Sequence, residues 1–454
     1  MLAAASIFLD FRLPNSTTWF YFSLILAVAL FFKFSRLLSM RNWDVLTIFL
    51  LVPGLLLLQE GHIRPNASGA LTKHSQTLLW LGYLWLLAGS TYFVMRCLFD
   101  LALVRRPSIT PNLNASGLAW MALALSVCLI SVAIKHQEGS PENAGKEPAA
   151  VEATRQQVAA LVDQQTARAI PGIDIDTAFW VSCGLAVMCH LAVIIGLIVI
   201  GRQIFQDMHI GVAMATFYLI LPYTAFFVGQ IHHVWLAALL VWAIATYRRP
   251  LLAGFLLGVA AGTVFSPALL FFVWLGFYWR RGAGRFAAAF LLAAAVCLAA
   301  TGTILWMQGE LWPSLKNVLA LSDWQPWKRP TTEGFWLGLH GEGVHWGYRI
   351  PVFILYIAGM VTTAFWPSPK TLAHVIALSA AGLIGIQFWY ADQGGIYVLW
   401  YLPLLLLMAF RPNLADRRPA LIVPETDLIS RAGKAAVRAA VLMVKQQEPL
   451  VRVR

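Results

Sequence analysis

Apolar runs about 17 to 25 residues long recur along most of this chain, and a run of that length is what an α-helix needs to cross a bilayer. They are rich in Leu, Ala, Val, Trp and Phe. Alternating ten-residue strands, the pattern of a membrane barrel, are absent from the sequence. Composition agrees: 59% of the 454 residues are hydrophobic and 12% are charged, against about half and a quarter in a soluble domain. The expected fold is therefore all-α and polytopic, with about thirteen transmembrane helices. They are placed at 18–38, 44–59, 77–104, 117–135, 177–201, 211–227, 233–247, 250–265, 267–279, 285–307, 350–366, 371–389 and 396–411.

The net charge of +12 reads as basic cytoplasmic loops. Lys33, Arg36 and Arg41 lie in one loop. Arg105/Arg106, Arg202, Arg248/Arg249, Arg280/Arg281/Arg285, Lys370 and Arg411/Arg417/Arg418 follow in alternate ones. This pattern predicts a multi-pass plasma (inner) membrane protein, with the N-terminus extracytoplasmic and the C-terminus cytoplasmic. No basic cluster interleaved with aromatics suggests nucleic-acid binding. The N-terminus has no basic segment or cleavage site of a signal peptide. Cys97, Cys128, Cys183, Cys189 and Cys297 form no CxxC pair and are expected as buried apolar side chains.

Three regions follow: helices in 1–116, a transmembrane module in 117–411, and a tail in 412–454. The module carries two large extracytoplasmic loops, 136–176 and 308–349. The first opens Gly/Pro/Glu-rich. It continues with Val151, Val158, Leu161 and Val162 at helical spacing, as a helix lying along the membrane surface. The tail segment DLISRAGKAAVRAAVLMVKQQ reads as a basic amphipathic helix held by anionic lipid. No internal repeat is evident, which weighs against an inverted-repeat transporter.

Residues 211–310 carry a recognisable order of features. LPYTAFFVGQ leads into a short turn and a span ending YRRP. LLAGFLLGVAAGTVFSPALLFFVWLGFYWRRG follows. This order resembles family 87 glycosyltransferases, mannosyltransferase-like proteins of the GT-C fold. The resemblance implies an inverting transferase with a polyprenyl-phosphate sugar donor and an extracytoplasmic acceptor, needing no metal or other cofactor. It also implies a carboxylate base in the first large outer loop, with nearby Arg, Lys or His at the donor phosphate. Where the family often has Lys-Pro, this chain has Ser266-Pro267. Its first three spans have no counterpart in the family.

Inverting transfer needs a carboxylate at the acceptor hydroxyl and cations at the departing phosphate. The candidates for the base are Asp174 and Asp176 in PGIDIDTAFW, Glu138 after span four, and Asp10 on the N-terminal segment. Asp176 also suits a plain helix N-cap. Candidate binding residues are Gln230, His232 and His233 in one short outer turn, which reads equally as a solvated turn. A second set lies in EGFWLGLHGEGVHWGYRIP: Glu333, His340, Glu342, His345, Trp346, Tyr348 and Arg349. Arg349 at the membrane edge suits bidentate phosphate binding. Trp324, Trp327, Trp336 and Trp346 suit either sugar stacking or interfacial anchoring. HGEGVH flanks a Gly-rich turn and is not a zinc-helix motif. Tyr390, Asp392 and Gln393 would complete the rim.

Arg96 and Asp100, four apart in one span, are expected to pair with each other or to snorkel. His190 is expected as a hydrogen-bonded core histidine. A transporter or a non-catalytic scaffold remains the alternative to a transferase.

Overall fold

The computed structural model describes residues 16–63, 72–102, 109–135, 149–169, 177–307, 326–327, 334–338, 345–390 and 393–420. Every regular element among them is helical. In chain order they are α1 (Ser16–Phe31), α2 (Met40–Thr47), α3 (Val52–Ile63), α4 (Lys73–Ala102), α5 (Ala115–Lys135), α6 (Ala149–Ala169), α7 (Thr177–Ile200), α8 (Met208–Ile220) and α9 (Pro222–Phe226). There follow α10 (Ile231–Ala245), α11 (Pro250–Thr263), α12 (Leu270–Phe277), α13 (Ala283–Met307), α14 (Arg349–Phe365), α15 (Leu372–Ile386) and α16 (Leu402–Phe410). Five stretches are long and apolar enough to cross a membrane: Met40–His62, Lys73–Ala102, Ala115–Ile134, Thr177–Phe205 and Ala283–Ile304. The other expected spans are occupied by shorter helices, and two expected spans, 44–59 within Met40–His62 and 211–227, are interrupted.

The interruptions come from backbone chemistry. Pro222 has no N–H to continue α8, so the helix breaks at Leu221 and restarts as α9. Thr224 Oγ1 then donates to the freed Tyr218 carbonyl at 2.6 Å. The second break, at 48–51 between α2 and α3, is closed by the same region. Tyr223 Oη donates to Ile48 O (2.8 Å) and accepts from Leu51 N (3.1 Å). Trp85 Nε1 donates to Leu50 O (2.7 Å). Irregular backbone survives in an apolar bundle only when side chains satisfy it in this way.

Small residues set the closest helix contacts, as expected where apolar burial does not separate helix from lipid. Along α11, Gly254, Gly258 and Gly262 face α13 four residues apart. A Cβ there would lie 2.4 Å from Phe286 O, 2.3 Å from Phe290 O and 2.6 Å from Cys297 Cβ. The register shows that α11 and α13 run parallel, so the segment between them must return across the bundle. The α3/α4 pair is antiparallel. A Cβ on Gly54 would meet Leu86 at 2.9 Å, one on Gly61 Leu79 at 2.8 Å, and one on Gly82 Leu58 at 2.7 Å.

Four buried charges join the two ends of the sequence. Arg96 grips Asp44 on α2 with both arms of its guanidinium, Nε to Oδ1 at 2.9 Å and Nη2 to Oδ2 at 3.1 Å. Arg411, just past α16, holds Asp100 Oδ2 from Nε at 3.0 Å and Nη2 at 2.7 Å. Arg96 to Asp100 is the weakest link, at 3.5 Å. The expected pair is thus the middle of a four-member ladder. It is buried and does not snorkel, because each charge has an opposite partner from another element.

The basic loops gather at the same end as this ladder. Asn112 Nδ2 donates to Ala29 O and Phe32 O, Arg41 donates to Thr110, and His209 Nε2 meets Leu113 O. Leu372 N donates to Arg417 O, and Arg281 donates to Pro419 O. Lys370 is buried there, with Nζ donating to Ala364 O and Pro367 O at the C-terminus of α14. α6 is helical as expected, but its buried face is Ala150, Val151, Ala153 and Ala159. Leu161 and Val162 are exposed. It packs on α7, α11 and α13. The cysteines are all free, and Cys128 is exposed rather than buried. His190 is buried and pairs through Nδ1 with Tyr218 Oη at 2.9 Å. The tail beyond 420, with its expected amphipathic helix, lies outside the described residues.

Arg411→Met strands the buried Asp100 carboxylate and should lower stability by about 3–5 kcal/mol. Thermal unfolding of the purified protein in detergent measures this, and adding Asp100→Asn should recover much of the loss. Burial pulls the Lys370 ammonium from its ordinary 10.5 down to about 8. Between those two values the unfolded chain binds the proton that the folded chain has released, so stability rises with pH across that window. The Tm advantage of the parent over Lys370→Met should therefore grow from pH 8 to 10.

Candidate functional site

The end opposite the ladder is stepped, because helices that start level have different lengths. α11 stops at Thr263, while α13 runs about 18 Å further by helical rise. A Cβ on Gly395 would touch Leu86, which lies about 20 Å along α4 from Lys73. Val228 shares a crevice with His190, about 20 Å along α7 from Thr177. These separate comparisons place residues 228–233, 264–266, 387–390 and 393–397 on one floor, set back about 20 Å from the ends of α4, α7 and α13.

The floor is built on an aromatic column. The His233 ring stacks on Phe227 at 4.0 Å and 16°, and on Tyr397 at 5.3 Å and 27°. Tyr397 in turn stacks on Trp400 at 4.3 Å. Trp400 Nε1 donates to His232 O at 3.0 Å, tying the column to the first turn of α10. The solvated-turn reading of these histidines is therefore corrected. α10 begins at Ile231, so both sit on a helix, and neighbours about 100° apart face differently. His233 is wholly buried, while His232 and Gln230 are half-buried.

Arg349 is also corrected. It does not lie open at a membrane edge but is 1% exposed, with Nε donating to Trp389 O at 2.9 Å. Trp389 packs edge-on against Phe353 at 4.8 Å. Trp336 is neither a free stacking platform nor an interfacial anchor. It is buried and donates from Nε1 to Phe388 O at 2.9 Å. Gln387 Oε1 accepts from Gly395 N at 2.8 Å, and Gly395 has a φ of +107°, a conformation suited to glycine. Tyr390 links Trp389 to Tyr397 at ring distances of 6.4 and 6.5 Å.

The structure thus brings Gln230, His232, His233 and Arg349 onto one connected floor. His345 is exposed, with Nδ1 accepting from Gly347 N, and it precedes the turn leading to Arg349. Trp346 opens that turn. Trp327 is exposed. Asp174, Asp176, Glu138, Asp10, His340, Glu333, Glu342, Trp324 and Asp392 lie outside the described residues. No metal-binding cluster of His, Cys, Asp or Glu occurs among the described residues. Trp389, Tyr397, Trp400 and Gln387 are floor residues that the sequence reading did not single out. For Tyr397 and Trp400 the sequence signal is the aromatic spacing of YVLWY after a Gly-Gly turn; Gln387 and Trp389 lie before that turn, in QFWY.

The chain matches no family model, no curated protein and no solved structure.

His233→Phe keeps a flat ring in the column and should cost less than about 1.5 kcal/mol. His233→Ala leaves a gap between Phe227 and Tyr397 and should cost about 2–4 kcal/mol. Thermal unfolding of the two variants side by side reads the difference.

Proposed function

We propose that this chain is an integral-membrane glycosyltransferase of the GT-C type. It takes a mannose-like sugar from a polyprenyl-phosphate donor and passes it, with inversion, to a hydroxyl acceptor on the extracytoplasmic side. In this reading the shorter helices also cross the membrane, giving thirteen crossings in all. The ladder end faces the cytoplasm, and the N-terminus lies outside.

The observation that carries the reading is the set-back floor. Half-buried polar side chains, a buried guanidinium and stacked aromatic rings meet there, at the end facing away from the basic loops. The acceptor oxygen attacks the anomeric carbon as the bond from that carbon to the phosphate oxygen breaks. The acceptor proton goes to a carboxylate, and polyprenyl phosphate leaves. In this reading Arg349 and His232 supply the cationic or donating groups for the departing phosphate. Asp174, Asp176 and Glu138 are the candidate bases.

One feature favours transport instead. Two interrupted helices, α2/α3 and α8/α9, meet inside the bundle, as do the broken helices around transporter sites. Here Tyr223, Trp85 and Thr224 already satisfy the exposed backbone groups, so no ligand is called for at the breaks.

Membranes containing the protein should transfer label from a polyprenyl-phosphate mannose to an acceptor. One of Asp174→Asn, Asp176→Asn and Glu138→Gln should lose about 100-fold or more in rate. Parental rates in all three would assign the base elsewhere. A wild-type protein that transfers no sugar across donors and acceptors would overturn the reading in favour of a transporter or scaffold.

A further inference from the structure

Three polar atoms on the floor are buried and have no hydrogen-bond partner: Gln230 Oε1, Ser266 Oγ and Gln387 Nε2. Ser266 is 6% exposed and Gln387 1% exposed. Such atoms are rare in folded proteins and are costly in an apolar bundle. The Gln387 amide is oriented unambiguously, because its oxygen already accepts from Gly395 N. Its nitrogen is therefore the group left over.

Register brings the three together. α12 and α15 run antiparallel, with Trp274 Nε1 donating to Ser379 Oγ at 3.2 Å and a Cβ on Gly382 lying 3.1 Å from Leu270. One further turn along this pairing sets Ser266 beside Ile386 and Gln387. From the other side, α10 and α11 are antiparallel, with Trp235 Nε1 donating to Thr263 Oγ1 at 3.0 Å. α11 ends at that contact and Val264 is extended, so Ser266 follows three residues after the point where the chain meets the first turns of α10, the helix that Gln230 precedes. Ser266 thus shares the floor with both glutamines, packed through its turn on the helix that Gln387 ends and a few residues from the chain's contact with α10, at the place where the sequence has serine and not lysine.

We propose that Gln230, Ser266 and Gln387 form a sugar subsite on the floor, rewarding a ligand hydroxyl array that both donates and accepts. The three atoms comprise an acceptor, a donor and a hydroxyl that can be either. A phosphate, which only accepts, would meet Gln387 and Ser266 but face the Gln230 oxygen with no proton to offer. A sugar ring satisfies all three, and the stacked aromatics beside them suit its apolar face. The assignment rests on the transferase reading for its ligand, and its residues come from the unpaired atoms.

The test uses the full chain in lipid nanodiscs and measures binding of polyprenyl-phosphate mannose, bare polyprenyl phosphate and an alkyl mannoside. The variants are Ser266→Ala and Gln230→Leu. Ser266→Ala removes an unpaired hydroxyl, and Gln230 makes no side-chain bond to the helix it precedes, so both fold as the parent does. Wild type should prefer the mannosylated lipid to the bare one by about tenfold or more. Each variant should erase most of that preference and leave bare-lipid affinity unchanged. Side-chain-dependent binding confined to the alkyl mannoside would support the subsite and assign it to the acceptor sugar. Equal binding of mannosylated and bare lipid by the wild type, or an unchanged preference in both variants, overturns the subsite and leaves the transferase reading standing. Failure of every ligand to bind, with no transfer activity, overturns both.

Discussion

Four charges placed among apolar helices must neutralise one another, and the ladder Asp44–Arg96–Asp100–Arg411 does so with nothing left over. A buried ion pair adds little net stability compared with apolar packing. Its contribution here is positional. Asp44 accepts both arms of one guanidinium, and Asp100 is held by Nε and Nη2 of another, so α2, α4 and the end of α16 are fixed in depth and rotation. Sliding any one of them by a turn would bury an unmatched charge.

Once that end is level, helix length becomes relief at the other. Helices of fourteen or fifteen residues, such as α11 and α15, end where α4, α7 and α13 still have several turns to run. The close glycine seams matter for the same reason. Gly254 and Gly258 let α13 lie against α11 at backbone distance, so its overhang stands directly above the floor. The polar residues of the far end are therefore gathered by subtraction: they sit where the short helices stop.

Much of this was written in the sequence. Apolar run lengths marked a helix at nearly every expected place, and the basic loops fall together at one end of the fold. What the sequence hid were relations between distant residues. Asp44, at the first position of an expected span, drew no notice, and Arg411 looked like one more basic residue beyond a span, yet each is half of a buried pair. Arg96 and Asp100 advertised themselves only because they share a helix. His233 looked wet because it stands beside Gly229 and Gln230, yet Phe227 on one side and Tyr397, returning from far along the chain, stack on its ring. The span expected at 211–227 ran straight through Pro222, the proline at which α8 breaks. The break at 48–51 had no such mark, because the groups that satisfy it, Tyr223 Oη and Trp85 Nε1, come from elsewhere.

The ladder also sets an order of events during synthesis. The first helices reach the membrane carrying Asp44, Arg96 and Asp100, one positive charge short of balance. The missing cation, Arg411, emerges 311 residues after Asp100. Until then Asp100 must stay hydrated or shelter at the bilayer surface. The early hairpin therefore settles at its final depth only when the last described helix arrives, and a ribosome stalled before that point would leave a membrane protein whose first segments are still waiting.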